Sequence, residues 1–150
     1  KAVASRYSGR NAGYPFVKFY GVWNESNLGQ FLSPQFNSKG QIVSPAAYAK
    51  LAAAGYAGIK AGNSKALVAI GETSSSGRDR KVRGASDSVR PGTFAQLVAK
   101  ANKKLKFDAW AQHPYPVPVN QKPTQKVLWP NVTLTSLPET VLIAFAAATP

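Results

Sequence analysis

The chain has no cysteine among its 150 residues. That excludes a disulfide framework and thiolate metal sites together. A single histidine, His113, makes no basis for an all-protein zinc centre, so no metal is expected. Acids are scarce: six Asp plus Glu stand against nineteen Lys plus Arg, a net charge of +13. No apolar run is long enough to cross a bilayer; the longest near the C-terminus, 141–148, falls well short. The opening "KAVASRYSGR" lacks the apolar stretch of a signal peptide and reads as the tail of a helix. There is no short repeat and no heptad.

What remains is a chain of ordinary hydrophobic content, 44%, long enough for one domain with a core. The positive balance favours anionic partners in general, namely acidic glycans, nucleic acid or membrane surfaces. Its distribution weakens that expectation, because the basic residues are spread from Lys1 to Lys126. Only "GRDRKVRG" (77–84) and "KANKKLK" (100–106) are dense, and the second falls at a helix end, where cations favour the dipole. No aromatic RNA-binding motif or helix-turn-helix pattern accompanies them, so nucleic acid is not the expected partner.

The order of elements is legible. "YPFVKFYGVW" (14–23) reads as an aromatic and β-branched strand. Ser44 as cap and Pro45 at the first position open a helix running to about Gly62. Within it Tyr48, Leu51, Ala52 and Ile59 recur at helical spacing, and Gly55 and Gly58 point to close packing on a sheet. "ALVAI" (66–70) suits a buried strand, and a polar loop follows over 71–92. Phe94, Leu97, Val98, Ala101 and Leu105 mark one face of a helix over about 93–104. "FDAWAQHPYP" (107–116) reads as a third strand, with Trp110 assigned to the core. Strand, helix, strand, helix, strand is the pattern of a parallel α/β sheet. Ligands of such sheets bind beyond the carboxyl ends of the strands, where this chain delivers "WNE" (23–25), "GET" (71–73) and "HPY" (113–115).

"WNE", "AIGET" and "DAWAQHPYP", in that order, resemble the clan A glycoside hydrolases, which are retaining (β/α)8-barrel glycosidases of the cellulase and xylosidase type. The resemblance covers roughly residues 3–139. It implies a partial TIM barrel in residues 1–140, spanning the fourth to sixth strands, about three parallel strands with intervening helices. It also implies that Glu25 is the general acid/base and that Asn24 hydrogen-bonds the sugar 2-hydroxyl. Trp23 would shape the sugar floor, and His113 and Tyr115 would face substrate. The implied partner is a β-linked glycoside or polysaccharide, with no cofactor, and the family favours a secreted location.

One departure is important. A retaining mechanism needs a second carboxylate about 5 Å from the first. The family supplies it from a glutamate ending the seventh strand, and no such strand is identifiable here. Glu139, in "SLPET", is not assigned that role. Glu72 is read as a strand-end carboxylate without fixed duty, although neighbouring strand ends bring it toward Glu25. A Ser-His-Asp site using Asp108 and His113 is not expected, since no Gly-x-Ser-x-Gly elbow occurs. A barrel takes ~250 residues, so the chain reads as the middle of one, active only weakly or not at all, with open sheet edges that favour self-association. The apolar stretch 141–150 falls outside the family pattern. The alternative function is a non-enzymatic domain that binds polyanions through the basic loop 77–90.

Overall fold

The computed structural model describes residues 1–116, 122 and 124–136. The tail 141–150, Glu139 and the end of the 1–140 unit lie outside the described residues. The architecture is α/β. Three parallel strands, β1 (Phe19–Gly21), β2 (Leu67–Thr73) and β3 (Ala109–Gln112), form an open sheet in the order β1-β2-β3. The helix α1 (Ala2–Arg6) precedes them, α2 (Ser44–Gly62) joins β1 to β2, and α3 (Pro91–Ala101) joins β2 to β3.

The first strand is much shorter than the aromatic run predicts. The segment before it is drawn elsewhere: the Val17 N–H donates to Tyr7 C=O at 2.9 Å, and the Asn63 side chain donates to Val17 C=O. Two residues after it, Trp23 turns into the left-handed region at φ 77° and ends the extended run. The third strand is likewise confined to 109–112, ahead of Pro114 and Pro116, which cannot donate to a ladder. The second strand is longer than "ALVAI" because β1 pairs with it over Leu67–Ala69 and β3 continues the pairing as far as Thr73.

Both helices also start differently from expectation. Ser44 lies inside α2 rather than capping it, and its hydroxyl donates to Gln35 Oε1 at 2.7 Å. Pro91 opens α3, and the carboxylate of Asp79 serves that helix start. It accepts from the Arg90 N–H at 2.9 Å and from the Thr93 hydroxyl at 2.8 Å, a favourable charge at the positive end of the dipole.

The core lies between the helices and one face of the sheet. Val68 and Ile70 from β2 pack with Tyr48, Ala49 and Ala52 of α2 and with Phe94 and Val98 of α3. Trp110, assigned to the core from sequence, is only partly buried and packs at its margin. Gly55 does bring α2 onto the sheet end, where a Cβ would press on Val22, whereas Gly58 and Gly62 face α1 instead. The opposite face of the sheet is uncovered by any described element: Phe19 is 69% and Leu67 38% exposed. At the amino end of the strands, Asp108 clamps the layers. It accepts from Lys60 Nζ at 2.7 Å and from the Val68 N–H at 2.7 Å, and those two donors hold its carboxyl below the usual range.

Candidate functional site at the carboxyl edge of the sheet

The loops after all three strands meet at one edge. The backbone N–H of Glu25 donates to the C=O of Glu72 at 2.9 Å, and the His113 N–H donates to the C=O of Thr73 at 2.9 Å. The side chains then converge. His113 Nδ1 lies 3.0 Å from Glu25 Oε1, joining residues 88 apart in sequence, and both side chains are largely withdrawn from solvent. The His113 ring in turn meets Tyr115 edge to face at 6.0 Å between centroids.

Trp23, Asn24 and Tyr115 are exposed around this pair. The left-handed turn at Trp23 sets its ring at the rim, and its indole N–H donates to Phe31 C=O at 2.9 Å. Glu25 is itself left-handed, at φ 41°, and so is Glu72 at φ 44°. Three non-glycine residues in this sparsely populated region lie within one site, each an arrangement that costs on the order of 1–3 kcal/mol and is held by its surroundings.

The surroundings that hold it are buried polar groups that sequence reading did not single out. Asn27 is fully buried; its amide donates to Val89 C=O at 2.9 Å and its Oδ1 accepts from the Ser74 N–H at 2.8 Å. Gln35, also fully buried, donates to Ser26 C=O at 2.9 Å. Asn27 thus fastens the loop carrying Glu25 to the loop after β2, while Gln35 ties that loop to its own continuation and to Ser44 of α2. Tyr48 fastens the strands: its hydroxyl donates to Val22 C=O at 2.9 Å and accepts from the Gly71 N–H at 2.7 Å. Burial pushes the Tyr48 phenol far above its ordinary range, with the negative charge of Glu72 adding to that and the Gly71 N–H opposing it. Tyr48 was legible as a helix-face residue, but a buried hydroxyl at that position was the unread signal, because it requires a partner.

Glu72 is the second carboxyl of the edge. Burial pushes its pKa up, and His113 offsets part of the rise. Beside the edge, a cavity of about 340 Å³ opens between the loops after β1 and β2, and its wall carries Gln30, Ser74, Ser76, Arg78 and Asp87. Such a set offers both hydrogen-bond donors and acceptors. Among the described residues no group of three His, Cys, Asp or Glu could hold a metal ion, and no helix is long and apolar enough to cross a membrane.

No protein-family model, curated protein or solved structure matches the chain.

Proposed function

We propose that the chain carries the acid/base half of a retaining β-glycosidase site, built on part of a (β/α)8 barrel. The winding supports the barrel. Strands in chain order with both crossover helices on one face follow the barrel pattern, whereas a doubly wound sheet sends helices to both faces. The uncovered face would then be the barrel interior.

The observation that carries the functional reading is the Glu25–His113 contact at the carboxyl edge of the sheet. Glu25 is the general acid. It gives its proton to the glycosidic oxygen as the bond to the anomeric carbon breaks, while a carboxylate on the opposite face of the sugar forms the glycosyl ester. Glu25 then takes a proton from the water that attacks the ester, which restores both groups. His113 orients the Glu25 carboxyl, Asn24 faces the 2-hydroxyl, and Trp23 and Tyr115 offer exposed rings to the sugar. The nucleophile is expected from a strand beyond the three described here.

The test is neutral β-linked oligosaccharide binding together with turnover of aryl β-glycosides. Binding is expected in this chain and is expected to be lost in Trp23→Ala. Turnover is expected only in a longer chain that adds the remaining strands, and there Glu25→Gln should lower kcat by about 10²- to 10⁴-fold. Undiminished turnover in that variant would sink the assignment.

A second reading, polyanion binding, draws on the exposed side chains of Arg80, Lys81 and Arg83 in the loop after β2. Retention on heparin that collapses with added salt, with no affinity for neutral oligosaccharide, would favour it.

A further inference from the structure

The cavity between the loops after β1 and β2 has no part in the reaction just described, yet its walls are held in place. Backbone hydrogen bonds clasp the two loops together. The Gly29 N–H donates to Asp87 C=O at 2.8 Å, the Val89 N–H donates to Asn27 C=O at 2.8 Å, and Leu28 bridges Ser88. Two glycines permit the approach. A Cβ on Gly29 would stand 2.9 Å from the Asp87 carbonyl oxygen, and one on Gly77 would collide with the Val89 carbonyl oxygen. The cavity, about 340 Å³, lies within the range of small-ligand sites, roughly 300–1,000 Å³. It also adjoins the acid/base. Leu28, in its wall, donates its N–H to Glu25 C=O at 2.9 Å, and Ser74, across from it, donates its N–H to Asn27 Oδ1.

Among the described residues the wall carries one cation, Arg78, and it is anchored without being neutralised. Its backbone N–H donates to Ser88 Oγ at 3.1 Å, and its Nη2 donates to Ser86 C=O at 2.7 Å. A guanidinium has five N–H donors in a fixed fork, and a neutral carbonyl leaves its charge uncompensated. No carboxylate among the described residues forms an ion pair with it. Asp79, next in sequence, serves Arg90 and Thr93 at the start of α3. Glu72 is carried away by a bulge. The ladder between β2 and β3 slips between Gly71 and Thr73, and both Gly71 (φ 96°) and Glu72 (φ 44°) are left-handed. Such a bulge re-aims a side chain. The Glu72 carboxyl turns to the open face of the sheet, so close to Gly21 that a Cβ there would meet it.

We propose that this cavity takes a uronic acid unit of the glycan held at the Glu25 edge, with Arg78 as the residue that selects an acidic sugar over a neutral one. The inference rests on that edge being a glycosidase site. The fork of Arg78 matches the planar sugar carboxylate. Gln30, Ser76 and Asp87, in the same wall, offer donors and acceptors to the ring hydroxyls. The substrate class is then a β-linked glycan that carries uronic acids, and the net charge of +13 draws such a chain toward the protein. Diffuse polyanion binding is a different arrangement. There the exposed Arg80, Lys81 and Arg83 would contribute as much as Arg78.

The experiment compares two β-linked tetrasaccharides, one of glucose and one of glucuronic acid, which differ only at carbon six. Calorimetry measures their binding to the 150-residue chain and to Arg78→Gln, Arg80→Gln and Trp23→Ala. Backbone amide spectra check that each variant is folded. The glucuronic acid tetrasaccharide should bind about three- to tenfold more tightly, the scale of one bidentate pair open to solvent. Arg78→Gln should erase that difference, Arg80→Gln should keep it, and Trp23→Ala should weaken both sugars. In the unsubstituted chain the amide shifts on binding should fall on residues 28–30, 74–78 and 86–88, which locates the ligand even if Arg78→Gln does not fold. Equal affinities for the two sugars, both lost in Trp23→Ala, overturn the selection by Arg78 and leave the glycosidase reading standing. An acid preference that Arg80→Gln erases as fully as Arg78→Gln, or amide shifts confined to residues 80–83, assigns it to diffuse charge and overturns the cavity. Acid binding that Trp23→Ala leaves intact separates the cavity from the Glu25 edge and overturns the substrate assignment. If neither sugar binds, the glycosidase reading falls together with the proposal.

Discussion

At the scale of single residues, the site depends on polar groups placed where water does not reach. Tyr48 is the clearest case, since one buried hydroxyl satisfies a carbonyl at the end of β1 and an amide in β2. Tyr48→Phe keeps the ring and removes both bonds, leaving two backbone groups without that partner. Each unmade bond of this kind costs ~1–3 kcal/mol, so a loss of about 2 kcal/mol or more is expected in urea unfolding. A loss below about 0.5 kcal/mol would show that the hydroxyl is not the clamp between the strands.

Glu72 and Asp108 make opposite contributions to stability as pH changes. Folding raises the pKa of Glu72, so its proton stabilises the fold at acid pH. That contribution disappears as pH rises through the ordinary carboxylate range and on through the raised folded value. Asp108 is lowered by folding, so its contribution is present above its unfolded pKa and lost as pH falls through the folded one. Glu72→Gln should therefore leave the urea midpoint unchanged near pH 4 and raise it at pH 7. The gain should stay below about 1 kcal/mol, because solvent still screens the carboxyl. A lower midpoint at pH 7 would contradict the burial of Glu72. A residue that destabilises the fold at working pH is an expected feature of a functional site.

At the scale of elements, the sequence carried the order and type of every regular segment except the 3-10 turn at Leu134–Ser136; even the short α1 answers to the opening read as the tail of a helix. Periodicity explains this: apolar residues at 3.6 and at continuous spacing report burial, and burial of α2, α3 and β2 is what builds the core. Edges were less legible, because they depend on partners distant in sequence. Residues 14–18 look like strand, and their hydrogen bonds to Tyr7 and Asn63 decide otherwise. In the site, Glu25 and His113 were legible from motifs at strand ends. The bulge that re-aims Glu72 was not, since it depends on the register of β3 against β2. Gly21 within an aromatic strand was a readable sign of close approach, left unread.

The glycines of α2 separate two kinds of packing. In a helix, Gly→Ala gains up to about 1 kcal/mol from propensity alone. At Gly58 a Cβ would meet only the backbone N of Lys1 at 3.4 Å, an ordinary contact. At Gly62 it would meet the carbonyl oxygen of Lys1, which caps α1, and, at 2.8 Å, Ser5 N within α1, both backbone atoms that cannot rotate away. Gly58→Ala should raise the thermal midpoint. Gly62→Ala should lower stability by about 1–3 kcal/mol through overpacking and detach α1 first, seen as faster amide exchange over residues 2–6. Equal effects at the two positions would mean that α1 does not dock on α2 as described.

At the scale of the whole molecule, the uncovered sheet face is the feature that most needs an answer. Parallel sheets are ordinarily covered on both sides. Here helices cover one, while Phe19 and Leu67 stand exposed on the other, and β1 and β3 each present an unpaired edge among the described residues. Apolar surface and open edges both promote association. The chain is therefore expected to sediment as concentration-dependent oligomers at neutral pH, even though a net charge of +13 resists this by repulsion. Raising the salt concentration screens that repulsion and should increase association. A double substitution, Phe19→Lys with Leu67→Lys, should shift the chain toward monomer and leave far-UV circular dichroism unchanged, since both side chains point away from the core. If the remaining strands of a barrel cover this face, a longer chain carrying them should be monomeric without any substitution and should not tolerate the two lysines. A chain of this length that sediments as a monomer at all concentrations and salt levels would mean the face is already satisfied, and the open-barrel reading would be wrong.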